Sequence, residues 1–116
     1  TAGVKINTSG SITAAGNVTA YSDVREKCDI QTVDYALDKV RAMRGVTFIK
    51  NDERGVGVIA QEMEEVLPEV VHTEPSDGIK SVAYGNIVGV LIEAVKEQQA
   101  QIDELRADVT KLQGFE

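Results

Sequence analysis

Tryptophan is absent from this sequence, and three Tyr and two Phe are all its aromatic side chains, 4% of 116 residues. A large core that stands alone therefore has little material, and burial against a partner chain is expected. A single cysteine, Cys28, excludes an internal disulfide. The one histidine, His72, has neither a cysteine nor a second histidine near it in sequence, so no metal is expected, and no cofactor. Positive charge is also scarce: 12 Lys and Arg stand against 19 Asp and Glu, a formal net charge of -7. Phosphate backbones and anionic headgroups need clustered Lys and Arg, so neither nucleic acid nor membrane is an expected partner. No apolar run approaches the about 20 residues of a spanning helix, and no signal peptide is visible, which points to synthesis in the cytosol. Starting at Thr1 rather than Met, the chain reads as a fragment of a longer protein.

What is present divides into three. Residues 1–21 read as short strand-like pieces, Val4–Asn7, Ser11–Thr13 and Asn17–Tyr21, punctuated at Gly3, Gly10 and Gly16. Their apolar residues are sparse and singly spaced, which suits a fibrous β-structure shared between chains better than one wall of a globular core. From Thr32 the pattern becomes helical, with Val33, Ala36, Leu37, Val40 and Met43 on one face, Thr32 as N-cap and Gly45 as stop. Val46–Lys50 and Val56–Ile59 predict a hairpin around a turn at Asn51–Gly55, then Ala60–Leu67 a short helix ended by Pro68. Val70–His72 and Ile79–Tyr84 predict two further strands around the turn Glu74–Gly78. Gly55-Val56-Gly57 lacks the third glycine and the Lys-Ser/Thr end of a phosphate cradle, so it does not read as a nucleotide loop.

The strongest periodicity lies in the last third. Val88, Leu91, Val95, Gln98, Ile102, Leu105, Val109 and Leu112 alternate at spacings of three and four, with charged residues on the flanks. That is a heptad seam, and over residues 98–112 it is so narrow that only copies of itself can cover it. Gln98, polar within the seam, is placed to fix register or oligomer number. The expected fold class is α+β: a small mixed domain of short strands and helices, with a long C-terminal helix in a coiled coil and a fibrous β-segment in front.

Ser22 and Lys27 stand five residues apart at the join between the front segment and the domain. A serine and a neutral lysine make a nucleophile and its base, although this spacing alone also fits a polar linker. Ser22-Asp23-x-Arg25-x-Lys27, then a helix, then Val56-Gly57-Val58-Ile59-Ala60-Gln61-Glu62, Leu67-Pro68-Glu69-Val70-Val71 and Val82-Ala83-Tyr84 before a heptad helix, form an ordered set. Over residues 22–112 this set resembles the intramolecular chaperone auto-processing domain that ends phage tailspikes and tail fibres, endosialidases among them, and that occurs in the myelin regulatory factors.

The resemblance implies a homotrimer that folds an upstream triple-stranded β-structure and then cuts itself off with a Ser-Lys dyad. By position, Ser22 is then the nucleophile, Lys27 the base and Ser22-Asp23 the bond cut, with Arg25, Gln61 and Glu62 in support. Residues 1–21 become the end of the fibre, 22–86 the auto-processing core and 87–116 the coiled-coil helix. Host cytoplasm is then the place of synthesis, and the fibre goes to the virion tail. Glu26 departs from the apolar residue of relatives; a carboxylate there favours charged Lys27, and Arg25 is expected to offset it by pairing with Glu26.

Which bond breaks is a separate question. Attack by Ser22 on its own carbonyl closes a strained four-membered ring, whereas attack on the Tyr21 carbonyl closes a five-membered one. A cut after Ser22 therefore takes a neighbouring chain's serine or a water activated by Lys27. Two other functions compete: a trimerisation module that folds the fibre without cutting, and a receptor-binding tip. The latter needs an exposed aromatic patch, for which only Tyr21, Tyr35, Phe48, Tyr84 and Phe115 are available.

Overall fold

The structure is a computed structural model that describes residues 3–114; Phe115 lies outside them. It divides into two compact units, Thr1–Gln31 and Thr32–Glu116. In the first unit, β1 (Val4–Ile6) pairs antiparallel with β2 (Ile12–Ala14), Val4 opposite Ala14. The turn is organised by Asn7, whose Oδ1 accepts from the backbone N–H of Ser9 and of Ser11, while Gly10 takes a φ of 88°. Val4, Ile6 and Ile12 are all exposed, so the hairpin buries no apolar face. Asn17–Tyr21, expected as a third strand, is irregular.

The second unit is mixed α and β, as the patterning requires. Its first helix, α1, runs from Ala36 to Ala42, starting three residues later than a Thr32 cap places it. The cap position is Tyr35, held at a φ of 53° with no side-chain cap of its own. The acceptor comes instead from far along the chain: Glu97 Oε2 takes the Ala36 N–H at 2.8 Å and Oε1 the Leu37 N–H at 3.2 Å. A carboxylate on these first N–H groups satisfies donors that have no partner within the helix and complements the helix dipole.

β3 (Val46–Lys50) and β4 (Glu53–Gly57) form the expected hairpin with a shorter turn. Asn51 and Asp52 both take positive φ, the two-residue geometry whose twist matches the strands, so β4 begins at Glu53 and ends before Val58. Gly55 and Gly57 have a packing reason. A Cβ on Gly55 would stand 2.7 Å from the Phe48 ring, and one on Gly57 would collide with the Tyr84 hydroxyl. That hydroxyl accepts the Val58 N–H at 3.2 Å, which ties the Gly57–Glu62 stretch to Val82-Ala83-Tyr84.

α2 (Ala60–Val66) leads through Pro68, which opens a single 3₁₀ turn over Pro68–Val70. β5 (Val71–Thr73) then pairs with β6 (Lys80–Val82), Val71 opposite Val82. Another 3₁₀ turn, Tyr84–Ile87, runs into α3, Val88–Leu112, a helix of 25 residues. The core gathers Ala36, Met63, Leu67, Val70, Val90 and Ala94, with Val33, Leu37, Val40, Val58 and Ile87 packed around it.

α3 thus has two apolar faces. Val90 and Ala94 point into the core, Ile87 just before the helix packs against it, and Glu97 continues the same stripe to cap α1. The heptad residues lie on another face and remain open: Val88, Leu91, Val95, Ile102, Leu105, Val109 and Leu112 are between 42% and 88% exposed. Gln98 is exposed with them. No helix among the described residues is long and apolar enough to cross a membrane.

Candidate functional site

Ser22, Asp23, Arg25 and Lys27 come together in one short loop of the first unit. Val24–Glu26 is a single 3₁₀ turn whose N-cap is Asp23: Oδ1 accepts the Arg25 N–H at 2.8 Å. The turn closes where the Lys27 N–H donates to the Val24 carbonyl at 3.1 Å. A tight turn between Asp23 and Lys27 brings the ends of the loop close, and Lys27 Nζ stands 2.6 Å from Ser22 Oγ. The pair belongs to one chain, and both residues are exposed.

Arg25 does not pair with Glu26 as expected. Its guanidinium grips Asp23, Nε to Oδ1 at 3.0 Å and NH2 to Oδ2 at 2.8 Å, a two-pronged contact that fits the carboxylate's geometry better than a single cation would. The Arg25 side chain, through this contact and its own backbone N–H, holds the Asp23 carboxyl below its usual value. Asp23 pushes the Arg25 guanidinium higher in return.

Gln61 and Glu62 belong to the second unit. Glu62 is held by Arg44, Nε to Oε1 at 3.1 Å and NH2 to Oε2 at 2.6 Å. That hydrogen-bonded pairing lowers the Glu62 carboxyl. Gln61 lines a cleft of about 620 Å³ with Arg44, Phe48, Lys80 and Tyr84. Lys80 is engaged there by Glu64 at 3.1 Å and by Thr73 Oγ1 at 2.7 Å. Among the described residues, no group of three His, Cys, Asp or Glu side chains could hold a metal ion.

Chemically, the loop of the first unit offers an oxygen nucleophile with an amine in direct contact, and nothing else within it resembles a reaction centre. Three residues that matter to the second unit went unread in the sequence: Val90, Ala94 and Glu97. Their spacing of four and three is a helical stripe, but it ends in a charge and passes through a small residue, so the stronger heptad beside it hides it.

Comparison with known proteins bears on the loop and the domain together. The chain is 37% identical over 103 residues to the long tail fiber protein Gp37 of Enterobacteria phage K3, and equally so to that of phage T2, with 80% of the chain aligned in each. It is 28% identical to the Gp37 of Salmonella phage S16, with 98% of the chain aligned. It spans only 8% of the length of the first two and 18% of the third. A family model described as chaperone of endosialidase, and named as a peptidase, matches from Ser22 to His72. Its first matched residue is the serine in contact with Lys27, and its span takes in α1, the β3–β4 hairpin and α2. Residues 22–72 of this chain are a member of the chaperone of endosialidase family.

Proposed function

We propose that this chain is the intramolecular chaperone of a phage tail fibre. Three copies assemble through α3, guide folding of an upstream triple-stranded β-structure that ends in residues 1–21, and are then released by a single self-cleavage at Ser22-Asp23. Residues 22–86 are the auto-processing core and 87–116 the coiled-coil helix. Synthesis is in the host cytoplasm, the fibre goes to the virion tail, and the chaperone is left behind.

The observation that carries the proteolytic reading is the 2.6 Å contact of Lys27 Nζ with Ser22 Oγ. In the reactive form lysine is neutral and accepts the hydroxyl proton as Oγ attacks. Because Ser22 cannot reach its own carbonyl without a four-membered ring, the bond it cuts is a neighbouring copy's Ser22-Asp23. Oγ bonds to that carbonyl carbon, the C–N bond breaks, and the departing Asp23 nitrogen takes the proton back from Lys27. Water then hydrolyses the ester, leaving a carboxylate on one serine and a free hydroxyl on the other. Serine and base come from one chain and the bond from the next, which supplies a reason for cutting only after assembly.

Assembly also meets the requirement on the lysine. Lys27 is exposed in the single chain, and a neutral amine is favoured by desolvation, which packed neighbours provide. The exposed seam of α3 supports self-association. Gln61 and Glu62 support the fold of the core in this reading, Glu62 through Arg44.

The test is a longer chain carrying its upstream fibre segment, compared with its Lys27→Ala variant on denaturing gels and by intact mass. The proposal expects a released piece starting at Asp23, absent from the variant. A piece starting at Ser22 replaces the mechanism with attack on the Tyr21 carbonyl. An uncut trimer in both leaves a folding module that stays on its fibre.

A further inference from the structure

Lysine and aspartate four residues apart would ordinarily find each other. In the Ser22–Lys27 loop they do not: the Asp23 carboxylate is occupied by three donors from Arg25, at 2.8, 3.0 and 2.8 Å. Lys27 is left to the Ser22 hydroxyl at 2.6 Å. An ion pair with Asp23 would hold Lys27 in its charged form and draw it off the serine, defeating both of its tasks. The other charged groups of this segment are Glu26 and Asp29, and Asp29 is turned to Gln31, accepting from Nε2 at 2.9 Å.

We propose that Arg25 is a positioning residue that acts by capturing the Asp23 carboxylate, so that Lys27 is kept for Ser22. The inference rests on the self-cleavage reading for its consequence, but not for its geometry. It differs from a plain structural clamp in one respect: Arg25 matters only because Asp23 is charged. Once Asp23 is neutral, Arg25 becomes dispensable. An asparagine at 23 keeps an oxygen for the Arg25 N–H, so the 3₁₀ turn survives the change. Lysine at 25 keeps the charge without the two-pronged grip and gives a partial effect.

The experiment is a four-member set: the unchanged chain, Arg25→Ala, Asp23→Asn, and both together. It is read in two ways, by the rate of self-cleavage of the fibre-bearing chain and by the nuclear Overhauser contact between the Lys27 side chain and the Ser22 β-protons in uncut protein. Arg25→Ala alone is expected to slow cleavage about tenfold, as the freed Asp23 carboxylate draws Lys27 off Ser22, and to weaken the contact. Measured against Asp23→Asn, which has the same scissile bond, the double variant is expected to lose neither cleavage nor contact. Equal losses in the single and double variants would overturn the proposal, as would an undiminished contact in Arg25→Ala. If the unchanged chain does not cleave, the self-cleavage reading fails, and the Lys27–Ser22 contact across the same set still decides the role of Arg25.

Discussion

Residues 88–97 of α3 bury Val90 and Ala94 against their own domain and send Glu97 to the start of α1, whereas residues 98–112 are exposed at every position. The heptad seam nevertheless continues through both halves without a break. In the first half a second face of the helix is anchored at home, which leaves the seam free and fixes the direction in which it points. In the second half Ile102, Leu105 and Val109 stay exposed, and no described residue of the second unit covers them. An apolar stripe that outruns its domain is stable in water only when another helix takes the place of that domain. In the proposed assembly one helix therefore has two partners: its own core on one side and copies of itself on the other.

Charged residues placed in the two halves separate these roles most sharply. Ala94→Glu buries an unpaired carboxylate in the core and is expected to unfold the second unit, at about 4 kcal/mol or more. Leu105→Glu is expected to abolish oligomers while shifting the stability of the isolated domain by only about 0.5 kcal/mol. Sedimentation and thermal melts of the two variants distinguish them; an oligomer that survives Leu105→Glu removes the seam from the account. Smaller is the effect of the anchor. Glu97→Ala takes both acceptors from the first N–H groups of α1 and is expected to destabilise the domain by about 1 kcal/mol, with Glu97→Gln less harmful because one oxygen remains. Denaturant titration measures both.

Smallest is the dependence on acid. Arg44 lowers the Glu62 carboxyl in the folded chain, so the stabilisation from this pair is complete above the ordinary glutamate value and is lost as pH falls through the lowered one. Melting temperatures followed from neutral to acid pH are expected to fall more gently in Glu62→Gln. The distal half of α3 makes no such pair with the domain, so its helicity is expected to outlast the acid loss of the core in the oligomer.

The seam, the two hairpins of the second unit and the helix before Pro68 were legible because each rests on local pattern: period 3.5, alternation, and a breaker. Loop chemistry was less so. A turn at Asn51–Gly55 looked natural from its composition, yet two residues in left-handed conformation suffice, and β4 starts earlier for that reason. The start of α1 could not be read at Thr32, because its cap is a carboxylate 61 residues away from Ala36. No window on the sequence contains both.

At the loop, Ser22 and Lys27 were picked out by residue type and by resemblance, and the structure brings them within hydrogen-bond distance. Arg25 was read as a partner of Glu26, its neighbour in sequence; backbone geometry decided otherwise. Adjacent side chains diverge in a 3₁₀ turn, while the residue two before, at the cap, presents its carboxylate to both the N–H and the guanidinium. The use of Gly55 and Gly57 by Phe48 and Tyr84 depends on contacts up to 27 residues apart in sequence that no motif announces.

The claim on which everything else turns is that assembled chains cut themselves beside Ser22 with Lys27 as the base. Intact-mass analysis of the fibre-bearing trimer tests it directly, with Lys27→Ala run alongside. The account predicts a released piece that begins at Asp23 and is missing from the variant. Full-length mass alone in a properly assembled, unchanged trimer would contradict it.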